Sequence, residues 1–217
     1  MHVPHPYQAN SPDQVATVVT RYPMAILVTN GESVPFATNL PVVPSADTCP
    51  QDLVGHTLLG HMNKQNPHWE SLSAGTRGKL IFSGPGTYIS PAFYETDPAA
   101  PTWDFVTVHL QGIIQPILGR EETLAVTRRT AAVLEKSFGC EWDQKNSVDY
   151  FRSIVGGVGA FEFQVGLVEA MFKLSQDKSP RIQQRLIDEF ACSPPGSPSW
   201  QIGGFMSDTG LGMADDR

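Results

Sequence analysis

The alternation of apolar and polar positions predicts a chain built mainly from short strands. Met24–Thr29 is a continuous apolar run of strand length, and Asn30-Gly31 after it is the commonest signal for a two-residue hairpin. In 160–168 apolar residues alternate with others, which is typical of a strand with one buried face. The Ser-Gly-Pro-Gly sequence at 83–86 predicts a turn. We predict strands over Met24–Thr29, 36–43, 53–61, 79–83, 102–116 and 160–168.

Helix signals lie before the first strand, between the strands and after the last of them. Ser11 is suited to cap a helix, Pro12 to its first position and Gln14 to the capping box. This helix is expected to end near Tyr22, because Pro23 disfavours helical geometry in the residue before it. Periodic apolar positions predict further helices, and a helix start signal adds a short one. These helices cover 66–72, 121–138, 147–154 and 179–190.

The last part of the chain differs in composition from the rest. Residues 193–217 are rich in Pro, Gly and Ser, and we predict that they are ordered only if they pack on a partner. We therefore divide the chain into a domain of residues 1–192 and a C-terminal tail of residues 193–217. Six short strands with helices outside them indicate a mainly β protein of the α+β class, folded as a small barrel.

Charge and cysteine content narrow the function and the compartment. The net charge is −7 and the basic residues are scattered, which argues against a nucleic-acid surface. Cys49, Cys140 and Cys192 are odd in number and far apart, so neither a disulfide framework nor a zinc site is indicated. The sequence shows no signal peptide and no run of about 18 apolar residues. We expect a soluble cytoplasmic protein without a membrane partner.

Several short motifs in the same order resemble the PaiB-like family of FMN-binding split-barrel proteins. The likeness extends from Met1 to Gln176. It implies a split β-barrel and a homodimer whose cofactors lie in the two subunit clefts. The motifs are Gly60-His61-Met62-Asn63-Lys64-Gln65-Asn66-Pro67-His68-Trp69, the stretch 79–112 and Lys173-Leu174-Ser175-Gln176.

The chain departs from the usual family pattern at positions around these motifs. Trp103-Asp104-Phe105 stands where Trp-Asn-Tyr is common, Leu40 where a histidine is common, and Asp177 where an asparagine is common. The chain looks most like one offshoot, the piperazate synthases. Those enzymes carry haem b and convert N5-hydroxyornithine to piperazic acid by forming an N–N bond, in pathways that include antibiotic biosynthesis.

The resemblance therefore implies a haem-dependent N–N cyclase that acts on a small N-hydroxylated amino acid. Two alternatives stay open. One is a protein that binds FMN, either as an oxidoreductase or as a carrier. The other is a transcriptional regulator, although the acidic charge and the lack of a helix-turn-helix pattern argue against direct DNA binding.

Histidine is the usual protein ligand of haem iron, and two of the six histidines lie in stretches that match the family. We predict His61, where a strand meets a short helix, as the iron ligand, with His109 as the alternative. Family members that bind FMN also have histidine at both places, so these residues do not separate haem from flavin. Both histidines would otherwise only hydrogen-bond the sheet edge. We interpret His68 as exposed in a helical turn and His56 as packing within a strand.

Other residues of the matching stretches are candidates for contact with cofactor or substrate. Lys64 and Lys173 would pair with haem propionates or a flavin phosphate. Asp104, Tyr88 and His109 are the candidate catalytic groups for proton transfer, with Asp104 alternatively binding the substrate ammonium or forming a salt bridge on a loop. Aromatic side chains would form the walls of the site or belong to an ordinary core. The aromatic candidates are Trp69, Phe93, Trp103 and Tyr88.

Overall fold

The computed structural model describes residues 1–47, 49–94, 97–140 and 142–212. Six strands close into an antiparallel barrel in the order β1-β2-β3-β6-β5-β4, which confirms the predicted fold class. The strands are β1 (Met24–Thr29), β2 (Phe36–Pro44), β3 (Thr57–Asn63), β4 (Thr76–Ile89), β5 (Thr102–Ile117) and β6 (Val158–Lys173).

Helices lie outside the barrel and at its ends. Two of them form an insertion between β5 and β6, and two follow β6. The helices of the described ranges are α1 (Pro12–Arg21), α2 (Pro67–Glu70), α3 (Arg120–Phe138), α4 (Val148–Ile154), α5 (Pro180–Ala191) and α6 (Pro198–Asp208).

The core fills the barrel because alternate residues of each strand point inward. On β5, Val106, Val108 and Leu110 are buried, while the residues between them face outward. A second, smaller cluster lies outside the barrel, where Val126 of α3 packs on Val43, Leu59 and Ala160. This second cluster attaches the insertion to β2, β3 and β6.

Strand β4 is longer than predicted. The sequence at 83–86 does not form a turn, since β4 continues to Ile89 with a shift of register between Ser83 and Gly86. The shift lets the strand bend and keep pairing with β5. The prediction of a two-residue hairpin at Asn30-Gly31 is also wrong, because the longer connection 30–35 joins β1 to β2.

The C-terminal residues do not behave as a tail that needs a partner. Helix α6 buries Ile202, Phe205 and Met206 in the same hydrophobic cluster as the barrel. The ring of Phe205 meets the ring of Phe172 on β6 edge to face, with 5.9 Å between centroids. The prediction failed because Pro and Gly were given more weight than the apolar residues of 198–208. Residues 213–217 of the tail lie outside the described ranges.

Candidate functional site

A cleft runs between the barrel and the insertion. We call its outer part the groove. It has a volume of about 590 Å³ and lies against residues 38–41 of β2, the end of β3 and Ile154. The inner part, which we call the chamber, has a volume of about 310 Å³ and lies between the insertion and the barrel. His61 lines both parts, together with Pro41, Ile154 and Val158, so the two parts lie side by side at His61.

The chamber offers an apolar surface. Its lining includes Ala131 and Leu134 of α3 and Phe151 of α4. Two threonines also line it, but their hydroxyls already donate to carbonyls of their own helix: Thr127 to Leu124 at 2.9 Å and Thr130 to Val126 at 3.0 Å. The groove is different, since amide and hydroxyl side chains line it. These are Thr38, Asn39, Asn63 and Asn66.

His61 lies on the outer face of β3, opposite Ala160 of β6. Burial lowers the pKa of its imidazole, which favours the neutral ring. Its Nδ1 is buried and has no hydrogen-bond partner among the described residues. The ring as a whole is only half-buried, so Nε2 is the nitrogen that a ligand in the cleft would reach. A neutral imidazole with one accessible nitrogen is the form that binds a metal ion.

His68 is not exposed, contrary to the prediction. It is 1% exposed, and its ring stacks on Phe36 with 5.2 Å between centroids. Its Nε2 lies 2.9 Å from Oγ1 of Thr29 and its Nδ1 lies 2.9 Å from Oγ1 of Thr38. Short helix α2 is capped by Asn66, whose Oδ1 accepts from the backbone N–H of His68 at 3.0 Å. His68 therefore joins β1 and β2 to the polar side of the groove.

His109 lies far from His61 within one chain. His109 of β5 pairs with Glu169 of β6, whereas His61 of β3 pairs with Ala160 of the same strand β6. At a rise of about 3.3 Å per residue, these two positions are roughly 30 Å apart along the strand. His109 has a buried Nδ1 without a partner among the described residues, and burial, followed by the charge of Lys79, lowers its pKa.

Asp104 points into the barrel and is fully buried. Its Oδ2 accepts a hydrogen bond from Oγ of Ser175 at 2.6 Å, while its Oδ1 has no partner among the described residues. Burial raises the pKa of Asp104 to about 6, although the bond from Ser175 and the charge of Lys173 oppose this. The interpretation of Asp104 as a salt-bridged loop carboxylate is wrong, because the residue belongs to β5 and is enclosed by the core.

The predicted aromatic residues divide into two kinds. Trp69 packs on Gly159, where an added Cβ would lie 2.3 Å from the indole, and Phe93 meets Phe190 edge to face. Both pack against the hydrophobic core. Tyr88 and Trp103 form an exposed pair instead, with centroids 6.2 Å apart on the paired strands β4 and β5.

The two predicted lysines do not line the cleft. Lys64 is exposed just beyond β3. Lys173 ends β6 and donates to the hydroxyl of Thr102 and, at 2.7 Å, to the carbonyl of Trp103. Of the predicted site residues, only His61 lines the groove and the chamber.

Thr38, Asn66 and the chamber were missed at the level of sequence. A signal existed for two of them. Asn66 before Pro67 is a helix cap, and alternation along β2 places Thr38 on the same face as buried Leu40. The chamber had no such signal, because its walls come from helices and strands that are distant in the sequence.

The closed antiparallel barrel with its outer helices defines this protein as a split barrel of the FMN-binding type. The chain belongs to the family described as "Putative FMN-binding domain", whose model matches residues 1–166. The match confirms the resemblance to the FMN-binding split-barrel family that the sequence motifs indicated.

The chain is similar to the protease synthase and sporulation protein PAI 2 of Bacillus subtilis. The two are 25% identical over 197 residues, which cover 87% of this chain and 88% of that protein. An uncharacterized protein of Emericella nidulans is 23% identical over 212 residues, covering 83% and 82%.

Several solved structures resemble the fold, and two of them serve as examples. The flavocytochrome Anf3 from Azotobacter vinelandii has a TM-score of 0.54 and 14% identity, covering 79% of this chain and 72% of that one. The FAD and heme binding protein from Mycobacterium smegmatis has a TM-score of 0.53 and 12% identity, covering 77% and 73%. At these identities the likeness concerns the fold alone. No helix within the described ranges has the length and apolar character needed to cross a membrane.

Proposed function

We propose that the cleft binds haem b and that Nε2 of His61 is the iron ligand. The observation that supports this most directly is the neutral, half-buried imidazole where the apolar chamber lies beside the polar groove. Haem is flat, with an apolar body and a carboxylate edge, and the cleft offers an apolar inner part and a polar outer part. The ring nitrogen Nδ1 of most metal-bound histidines donates to an acceptor, and here it has none among the described residues. Iron would thus be held by a less basic imidazole.

FMN is the second candidate, and the family description favours it. A flavin is also flat, with an apolar edge and an anionic phosphate, so the same cleft would take it. The absorption spectrum of the purified protein separates the two, since haem gives a Soret band and a flavin does not.

We further propose that the protein is a dehydrating N–N cyclase similar to the piperazate synthases. One departure from the usual family pattern, Leu40, lies on β2 beside the groove, where the chain has a buried apolar side chain in place of a histidine. In the reaction the N–O bond of N5-hydroxyornithine breaks, the α-amine bonds to N5 and water leaves, so no net electron is needed. A haem iron bound in the cleft would act as a Lewis acid that weakens this N–O bond.

Two of the other candidate groups, His109 and Tyr88, would have to come from a second copy of the chain. Both lie on the outer surface of the barrel, away from the cleft, whereas Asp104 is enclosed within the barrel. We propose a homodimer in which the outer face of β4 and β5 of one copy covers the cleft of the other. Exposed apolar side chains on the strands suit such a contact, namely Tyr88, Trp103, Ile113 and Leu167. In this arrangement His109 or Tyr88 would hold the proton removed from the α-ammonium.

The spectrum of variants tests the cofactor proposal. His61→Ala is expected to lose the Soret band, while His56→Ala, which changes an exposed histidine, keeps it. If His61→Ala retains the full haem content and spectrum, the ligand assignment is wrong, and loss of the Soret band in His109→Ala would transfer the role to His109.

Incubation of the haem protein with N5-hydroxyornithine, followed by mass spectrometry, tests the reaction separately. A haem-loaded protein that forms no piperazic acid would refute the cyclase and leave the haem site standing.

A further inference from the structure

The hydrogen bonds of His68 determine where its ring proton lies. Thr29 is 4% exposed, and its hydroxyl has no partner among the described residues other than Nε2 of His68. A buried hydroxyl proton without an acceptor is costly, so Thr29 donates to Nε2. The ring proton is therefore on Nδ1, which donates to Oγ1 of Thr38. Burial lowers the pKa of His68, which keeps the ring neutral with this single proton.

The side chain of Asn66 is oriented in the same way. Its Oδ1 accepts from the backbone N–H of His68 at 3.0 Å, so the other end of the amide is the NH₂ group. That group donates to Oγ1 of Thr38 at 3.1 Å. Oγ1 of Thr38 thus accepts two hydrogen bonds, one from His68 and one from Asn66, and both of its lone pairs are used.

Two donors are left over on the groove side. The hydroxyl proton of Thr38 has no acceptor among the described residues, and neither has the second N–H of Asn66. Both residues line the groove. We infer that Thr38 and Asn66 form a donor pair that binds an anionic oxygen of the ligand in the groove, with His68 as the positioning residue that directs the Thr38 hydroxyl outward.

This inference deepens the proposed function and depends on it only in that the groove holds the cofactor. A carboxylate and a phosphate both present the required oxygen. Haem would supply a propionate carboxylate, and FMN its phosphate. An uncharged rim of donors suits such a group, because hydrogen bonds to an ionised acceptor are stronger than those between neutral groups.

Two matched pairs of probes test the inference. The wild-type protein and Thr38→Val are titrated with haem and its dimethyl ester, and with FMN and riboflavin. We expect the wild type to prefer the anionic member of one pair. Thr38→Val should weaken binding of that member by about ten-fold and of the uncharged member by less than about two-fold. The pair that responds identifies whether the oxygen is a carboxylate or a phosphate.

Thr29→Val is the matched control, because it makes the same change on the other side of the His68 ring. With valine at this position an Nε2–H would be a buried donor without an acceptor, so we expect the proton to stay on Nδ1 and Thr38 still to donate into the groove. We expect a lower melting temperature and unchanged preference for the anionic probe. Equal losses of affinity in the two variants would show that the network only supports the fold. A wild-type protein without preference for either anionic probe overturns the donor pair, whatever His61→Ala shows for iron.

Discussion

His61 and His109 pair with opposite ends of the same strand, His61 with Ala160 and His109 with Glu169 of β6. Both are half-buried imidazoles whose buried Nδ1 has no hydrogen-bond partner in the part of the chain that the structure describes, and burial lowers the pKa of each. Their chemistry is therefore similar while their positions are not. One chain does not bring both to one cofactor, and for this reason we propose that a second copy supplies His109.

Cofactor retention should persist in mildly acidic solution. Because burial lowers the pKa of His61 from its ordinary value of 6.5, its ring keeps its lone pair at a lower pH than an exposed histidine does. We expect the Soret absorbance of the haem-loaded protein to be retained as the pH falls through 6.5, and to be lost only in more acidic solution. Loss of half the haem close to pH 6.5 would contradict this expectation.

Asp104→Asn should stabilise the protein at neutral pH. The pKa of Asp104 is raised from 3.8 to about 6, so the fold favours the protonated acid. The stability that this preference gives the fold is fully present below the pKa of Asp104 in the unfolded chain, and it is lost as the pH rises from about 4 to 6. A pKa that differs by about two units between the folded and unfolded chains costs the fold about 3 kcal/mol at neutral pH. The uncharged amide of asparagine avoids this cost.

Urea unfolding of Asp104→Asn and the wild type at pH 4 and pH 7.5 measures this effect. The variant should be more stable at pH 7.5 and lose its advantage at pH 4. Asp177→Asn, an equal change at an exposed position nearby, should be close to neutral. If Asp104→Asn lowers stability at pH 7.5, the carboxylate is charged and paired in the native protein.

Gly112→Ala should destabilise the barrel where β5 meets β6. A Cβ at this position would lie 2.2 Å from the carbonyl oxygen of Gln164 and 2.5 Å from the Phe163 ring. The Gln164 carbonyl belongs to the backbone and can move aside only by distorting the strand. We therefore expect a loss of roughly 1–3 kcal/mol in the free energy of unfolding. Gly166→Ala is the control, since its nearest neighbour would be 3.7 Å away. Equal stability of the two variants in thermal unfolding would argue against this pairing of the strands.

Phe205→Ala tests the packing of α6. Phe205 is 5% exposed and contacts Phe172, so its truncation should cost about 3 kcal/mol. It should also make residues 193–212 more accessible to limited proteolysis. Trp200→Ala removes a ring from the same helix that is 41% exposed, and should cost much less. Similar costs would mean that the helix does not dock on the barrel through Phe205.

The sequence predicted β1 well because it is a continuous apolar run, and β5 well because its apolar residues alternate with others over a long stretch. Strand β4 was cut short because Gly and Pro at 84–86 are typical of turns, whereas in the structure they accommodate a shift of register. The burial of Asp104 was readable in principle, since it alternates with Val106 and Val108 on the inward face. The presence of a carboxylate suggested a loop and outweighed that pattern.

The amino-acid sequence by itself determined most of the strands and helices and the family, because periodicity and short motifs act over a few residues. Only the tertiary structure decided which side chains share a cleft. Closure of the barrel and docking of the insertion bring His61, Ile154 and Phe151 to one cavity, and they leave His109 on β5, beside Glu169 of β6 and far from that cavity. Such neighbours are set by packing between distant segments, and no local pattern of residues encodes them.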